Sequence, residues 1–493
     1  MSDPSTPYAD ALRANAAGGW TRWAIPAHQD QPGRHPALAA LAGEGALAMD
    51  IPMFTEGVDL PGPGEPGPSP FARSLALAAE AWGARRTWFL TDGASQGNHA
   101  ACLALRGRGH HAVVQRSVHT SVIDGAILAG LRLEFVLPHV DLGLGIAHGV
   151  TPGDLDAVLA RHPGASGAYV VSPSYFGAVS DVAGLAAVAH RHDVPLIVDE
   201  AWGSHFGFHP GLPRSALSCG ADVVVSSTHK LAGSLTQSAM LHLGEGPYSD
   251  ELEPLLDRAL RTFQTTSPSA LLLASLDVAR RDLLVNAANG SLAQSIADAD
   301  RVRSLLVEGG RYADPAPSIL DSPDVVGLDP LHVVVDTSSG GLSGYDARTI
   351  LEAQARIHVE LATQSVIVGI VGAGSRLDAD YVAKALHALP HRAGSGSPGG
   401  REARPIALPP PGPRALDVRE AFLAPAEVVP WDQAAGRVSA DSLAAYPPGV
   451  PNVLPGEVIT AEVVDFLRET ARSPYGWVRG SVDPLTDHLR VVR

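Results

Sequence analysis

The stretches VPLIVDE (194–200) and ADVVVSSTHK (221–230) decide the fold. Each is an apolar, β-branched run without polar alternation, the pattern of a strand buried on both faces. Each then stops on chemistry: Asp199 and Glu200 close the first, and Ser226 to Lys230 close the second. Outward from this pair, HAVVQ (111–115), LEFVLP (133–138) and GAYVVSP (167–173) read as further strands. A helix is expected over 120–129, and another over 181–192 in DVAGLAAVAHRH. TPGDLDAVLARH (151–162) opens with Thr151 as cap, Pro152 at the first helical position and Asp154 in the first turn, all helix-start signals. Strands alternating with helices predict an α/β fold whose mostly parallel sheet is covered on both faces. Ligands of such folds bind beyond the carboxyl ends of the strands, so Ser172, Asp199 and Lys230 are expected around one crevice.

Length and composition narrow the class. With 493 residues, 45% hydrophobic and 18% charged, the chain suits a soluble enzyme of two or three domains. A net charge of -16 excludes a nucleic-acid surface, which needs clustered cations, and favours a cationic small-molecule partner. The two cysteines, Cys102 and Cys219, give no disulfide framework and fit a cytoplasmic location. The start MSDPSTPYAD does not read as a signal peptide, and VIVGIVGAG falls far short of the ~20 residues of a membrane helix. HRAGSGSPGGREARPIALPPPGP (391–413) reads as a linker, and LPGPGEPGPSP (60–70) sets off an N-terminal arm. The close histidine pairs (110/111, 190/192 and 205/209) lack a second acid or cysteine cluster at ligand spacing, so no metal is expected.

Asp199 and Lys230 lie 31 positions apart, each ending a strand. Taken alone, the two could form a solvated salt bridge. Together on a ligand-binding edge they match the needs of pyridoxal phosphate: a lysine for its aldehyde and an acid for its pyridine nitrogen. The cofactor's phosphate needs backbone N–H donors and hydroxyls near a helix start. FLTDGASQGNHAACLAL (89–105) supplies a small-residue turn through Ala94 and Ser95, and Ser227 is a second candidate. His119, in QRSVHTSVIDG (115–125), follows a strand and is placed either to stack on a ring or to cap the next helix.

These motifs stand in the order of fold-type-I pyridoxal phosphate enzymes. More narrowly, the chain resembles the ornithine/lysine/arginine decarboxylase family in its short form, without an N-terminal wing domain. The resemblance rests on TDGASQGN (91–98), SVHTSVIDGAILAG (117–130), SPSYFGAVSD (172–181), VDEAWGSHFGFHPGLPRSAL (198–217), SSTHKLAGSLTQSAML (226–241), TTSPSALLLASLDVAR (265–280) and YPPGVPNVLPGEVIT (446–460). It implies an arm over 1–60, a large cofactor-binding domain over 61–290 and a smaller α/β domain over 291–390. The linker at 391–413 and a C-terminal α+β domain over 414–493 follow.

By the same resemblance Lys230 is the Schiff-base lysine, Asp199 pairs with the pyridine nitrogen and His119 stacks on the ring. Ala94, Ser95 and Ser227 hold the phosphate, His229 lies by the reacting centre, and Trp202 lines the pocket. Thr266 and Ser267 reach the phosphate of a partner subunit, which implies a homodimer or higher homo-oligomer. Glu457 meets the distal charge of the substrate, with Asp483 in reserve, unless the Pro-rich YPPGVPNVLPGE is instead a rigid C-terminal packing loop. The implied reaction is decarboxylation of arginine, lysine or ornithine, as in polyamine biosynthesis. Lys230 or His229 would be the proton donor at Cα. An oxidative deamination or elimination on the same scaffold is the alternative, and a non-catalytic protein would be expected to lack Lys230 or Asp199. Three departures from the family pattern bear on the substrate: Gln29 after Pro26, Ala27 and His28, where Pro-Gly-His-Lys is usual; Thr120 in place of Lys; and Ala94 in place of Thr.

Overall fold

The computed structural model describes residues 3–64, 66–141, 143–390, 408–446, 450–473 and 476–493, so most of the expected 391–413 linker lies outside the described residues. The chain divides into two compact units. One comprises Met1–Ala104, Ile197–Gln294 and Gly372–Ser375; the other comprises Leu105–Leu196, Ser295–Val371 and Arg376–Arg493. The division into units does not follow the expected domain limits at 60, 290 and 390 and is of a different kind. Residues 105–196 group with the small and C-terminal segments.

In the first unit, Val223–Ser226 runs parallel to the strand ending at Asp199, with Asp199 opposite Val225. Its other neighbour is Ala239–Leu243, which lies antiparallel and pairs in turn with Arg86–Leu90. All four residues of Val223–Ser226 are buried, as a run without polar alternation requires. The N-terminal arm is built into this unit. Tyr8 and Leu12, on the Pro7–Ala16 helix, join Trp82, Phe89, Met240 and Leu276 in one apolar cluster. Asp277 accepts hydrogen bonds from the Tyr8 and Ala9 amides at 3.0 and 3.3 Å, satisfying donors that a helix start leaves open.

In the second unit, His111–Gln115 pairs in parallel with both Arg132–Val136 and Ala168–Val171. The intervening Thr120–Ala129 helix has the expected limits. Pro152–Arg161 begins with the expected capping box, Thr151 accepting from the Asp154 amide while the Asp154 carboxylate accepts from the Thr151 amide. Residues 332–370 form an antiparallel sheet in which Val366–Ile370 lies between His332–Asp336 and Leu361–Ala362. The C-terminal segment has its own core. The Ala461–Arg472 helix, capped by Thr460, buries Val463, Val464, Leu467 and Ala471 on one face against Leu443, Val453 and Leu489.

Candidate active site

The first unit brings Asp199, Trp202, Lys230 and the Gly93–Arg108 helix together. Asp199 ends its strand 3% exposed. Its Oδ1 accepts from the Ala201 amide at 3.0 Å and its Oδ2 from Asn98 Nδ2 at 3.1 Å. Among the described residues it has no ion-pair partner. A buried carboxylate held by two neutral donors is well oriented, but its charge is unmatched.

Lys230 lies in a single helical turn, Thr228–Leu231, that follows the Val223–Ser226 strand directly. The turn fixes where the side chain leaves the backbone. Lys230 Nζ stands 4.0 Å from the centre of the Trp202 ring, a cation–π distance. The preceding His229 donates from Nδ1 to the Ser238 carbonyl at 2.8 Å, since a carbonyl can only accept. In the neutral ring Nε2 is then the basic nitrogen. Ser227 caps the turn without spending its side chain on the cap, and the buried Thr228 hydroxyl has no hydrogen-bond partner among the described residues.

Ala94 and Ser95 occupy the first turn of Gly93–Arg108, where amides have no partner inside the helix. Gly93 holds a left-handed φ of 67° and donates its own N–H to the Gln237 carbonyl at 2.7 Å. Gln96 Nε2 donates to Gln264 Oε1 at 2.6 Å, which ties this turn to the segment carrying Thr266 and Ser267. Thr266 and Ser267 themselves are exposed.

Two neighbouring ionisable groups have internal duties. Burial lowers the pKa of His242 to about 3, and its neutral ring lies between Thr87 Oγ1 and Ser226 Oγ. Burial also pushes the Glu200 carboxyl well above the usual range, offset in part by the Ala216 amide donating at 2.7 Å.

The other expected residues lie in the second unit. His119 caps the Thr120–Ala129 helix, with Nδ1 accepting from the Ser121 amide at 3.3 Å. Ser172 Oγ accepts from the Ser180 amide. Glu457, expected at the distal charge of the substrate, has partners within the chain. Arg116 grips both its oxygens, at 2.7 and 2.8 Å, and the Leu454 amide adds a third bond at 2.9 Å. Arg116 also donates from Nε to the Pro451 carbonyl. This buried fork–fork pair fixes the Pro-rich loop to the residue just past the His111–Gln115 strand. Asp483, the reserve, accepts from the Leu485, Asp487 and His488 amides of its own turn.

Sequence reasoning also missed Asn98. It lies inside the quoted TDGASQGN motif, but a linear pattern does not say that its amide reaches an acid 101 positions away.

Known proteins fit this geometry. The pattern described as "Orn/Lys/Arg decarboxylase, major domain" matches residues 6–375, and that family's C-terminal domain matches 417–474. An arginine decarboxylase of Bacillus subtilis (strain 168) is 34% identical over 498 residues, covering 100% of this chain and 99% of that protein. One from Halalkalibacterium halodurans is 34% identical over 494 residues, covering 99% and 98%. Among solved structures, the constitutive lysine decarboxylase of E. coli superposes with a TM-score of 0.80 at 18% identity, covering 99% of this chain and 82% of that one. Lysine decarboxylase A of Pseudomonas aeruginosa gives 0.78 at 20% identity, covering 99% and 80%. The fold is therefore that of fold-type-I pyridoxal phosphate enzymes, as expected from the sequence.

The buried groups of both units lend themselves to measurement. Glu457→Gln leaves the Arg116 guanidinium without its countercharge and should cost about 3–5 kcal/mol of stability by urea denaturation. Replacing Arg116 and Glu457 together by Met should recover part of that loss, whereas wild-type stability in the single variant would contradict the pairing. Glu200→Gln keeps an acceptor for Ala216 but cannot ionise. In the wild type the unfolded chain releases the Glu200 proton near pH ~4.3, before the folded chain does, so stability should fall as pH rises above that value. The variant should lack that part of the slope, and superimposable stability–pH curves would refute the assignment.

Proposed function

Because the chain belongs to the ornithine/lysine/arginine decarboxylase family, we propose that it uses pyridoxal phosphate to remove the carboxylate of arginine, releasing CO₂ and the corresponding amine. The observation that carries this reading is the Asp199 carboxylate, buried, fixed at both oxygens and without a cation among the described residues. A protonated pyridine nitrogen is the partner such a carboxylate lacks. The orphaned Thr228 hydroxyl, two residues before Lys230, is a further sign of a site completed by a ligand. Arginine is favoured within the family by the curated relatives named above.

When bound, the cofactor supplies an electron-poor ring able to take up the electron pair left on Cα as CO₂ departs. The chain's own residues do the rest. Lys230 presents Nζ as the amine that holds the cofactor aldehyde, and the Trp202 face steadies that amine while it is charged. Asp199 holds the proton on the ring nitrogen. The Ala94 and Ser95 amides and the Ser227 hydroxyl bind the phosphate. His229 Nε2, left basic by the Nδ1–H bond to Ser238, or Lys230 Nζ, carries the proton to Cα. His119 enters this reading through the family resemblance alone, as the residue that would stack on the ring.

The reading includes a homodimer. Thr266 and Ser267 are exposed hydroxyls held next to a segment that Gln264 anchors, and the resemblance gives them to a partner's phosphate. It also includes a cytoplasmic enzyme of polyamine formation, for which the two free cysteines and the family speak. With Glu457 engaged by Arg116, the carboxylate that meets the guanidinium is left unassigned.

The test is to incubate purified protein and pyridoxal phosphate with arginine, lysine and ornithine and to identify products by mass spectrometry. CO₂ and the amine should appear with arginine as the preferred substrate. Borohydride should fix the pyridoxyl group on Lys230, and Lys230→Ala should abolish both results. Label on another residue, or a deaminated product, would overturn the reading.

A further inference from the structure

We infer that Asn98 is a positioning residue for the reaction: it aims the Asp199 carboxylate at the cofactor's ring nitrogen, an assignment that rests on the pyridoxal phosphate reading above. The geometry begins at Gly97. A Cβ there would come within 2.8 Å of Val225 Cγ1 and 3.1 Å of Leu90 Cδ1, so only glycine lets the Gly93–Arg108 helix lie so close to the strands beneath it. Val225 is the residue opposite Asp199 in the parallel pairing. Seating Gly97 on Val225 therefore brings the next side chain, Asn98, to the end of the neighbouring strand. Its Nδ2 donates to Asp199 Oδ2 at 3.1 Å, with Asn98 1% and Asp199 3% exposed. The assignment of nitrogen over oxygen follows from the acceptor, because an amide oxygen in that place would face a carboxylate oxygen.

The two anchors divide the work. The Ala201 amide holds Oδ1 and Asn98 holds Oδ2, so the plane of the carboxylate is fixed at both oxygens. The chemistry of the donor matters as much as its position. Lysine or arginine at this position would neutralise Asp199 and remove its need for a ring cation. A second acid would repel it. A neutral amide orients the carboxylate and leaves its charge for the ring nitrogen. Asn98 stands three residues after Ser95, and residues at this spacing share one helix face. One rigid helix thus carries the first-turn amides offered to the phosphate and the side chain that sets the acid.

The test uses full-length Asn98→Ala and the isosteric Asn98→Asp. Apo protein is titrated with pyridoxal phosphate, and the visible absorbance of the bound cofactor is followed against pH. Asn98→Ala should weaken cofactor binding roughly tenfold, the size of one lost charge-assisted hydrogen bond. It should shift the pH midpoint of the absorbance and lower kcat while leaving KM for arginine within about twofold. Asn98→Asp should bind cofactor worse than Asn98→Ala near neutrality and recover as pH falls, because the introduced carboxyl, once protonated, again offers Asp199 a donor. That recovery is not expected of a residue that only fills space, and it carries the test if the alanine variant does not fold. Wild-type affinity and an unchanged absorbance titration in a folded variant would overturn the role of Asn98 while leaving the cofactor reading intact. A wild-type protein that binds no pyridoxal phosphate would overturn the reading beneath it.

Discussion

A carboxylate sealed from water and held, among the described residues, by neutral donors is costly to keep charged, and Asp199 is such a group. The rest of the first unit is arranged around keeping it there. The all-apolar strand Leu196–Asp199 ends on it, the neighbouring strand lines up Val225 opposite it, and glycine at 97 lets a helix press down until Asn98 reaches it. Such a carboxylate adds little to stability by itself. On the proposed reading its cost makes sense as preorganisation: the negative partner of a pyridinium would be in place and oriented before the ring arrives.

Lys230 is held by a different kind of force. Its amine lies over the Trp202 ring, whose face attracts an ammonium without neutralising it. An ion pair between Lys230 and Asp199 would satisfy both and leave neither for the cofactor. The two groups have separate neighbours, a π face for Lys230 and two neutral amides for Asp199. The buried Arg116–Glu457 pair in the second unit shows the opposite solution. There the two charges meet in a bidentate pair.

Much of this was legible in the chain. Continuous β-branched runs specify strands buried on both faces, so 111–115, 168–171, 196–199 and 223–226 could be placed closely. Thr151, Pro152 and Asp154 marked a helix start because cap chemistry is local. Asp199 and Lys230 stood out because charges at the ends of apolar strands demand a reason. What stayed hidden depended on non-local contacts. The Arg116–Glu457 pair joins positions 341 apart, which no local pattern shows. Asn98 lay in plain view within a motif, but its target is set by helix-on-strand packing. The antiparallel strand Ala239–Leu243 is likewise a matter of chain return, which local propensity does not encode.

The most direct measurement compares binding and turnover of pyridoxal phosphate with those of its analogue bearing carbon in place of the ring nitrogen. The analogue keeps the aldehyde proposed for Lys230 and the phosphate proposed for Ala94, Ser95 and Ser227, and lacks only the group that Asp199 would meet. The account predicts weaker binding by roughly tenfold or more and loss of decarboxylation, with the difference in affinity largely abolished in Asp199→Ala. Equal affinity and turnover with the two cofactors would contradict it.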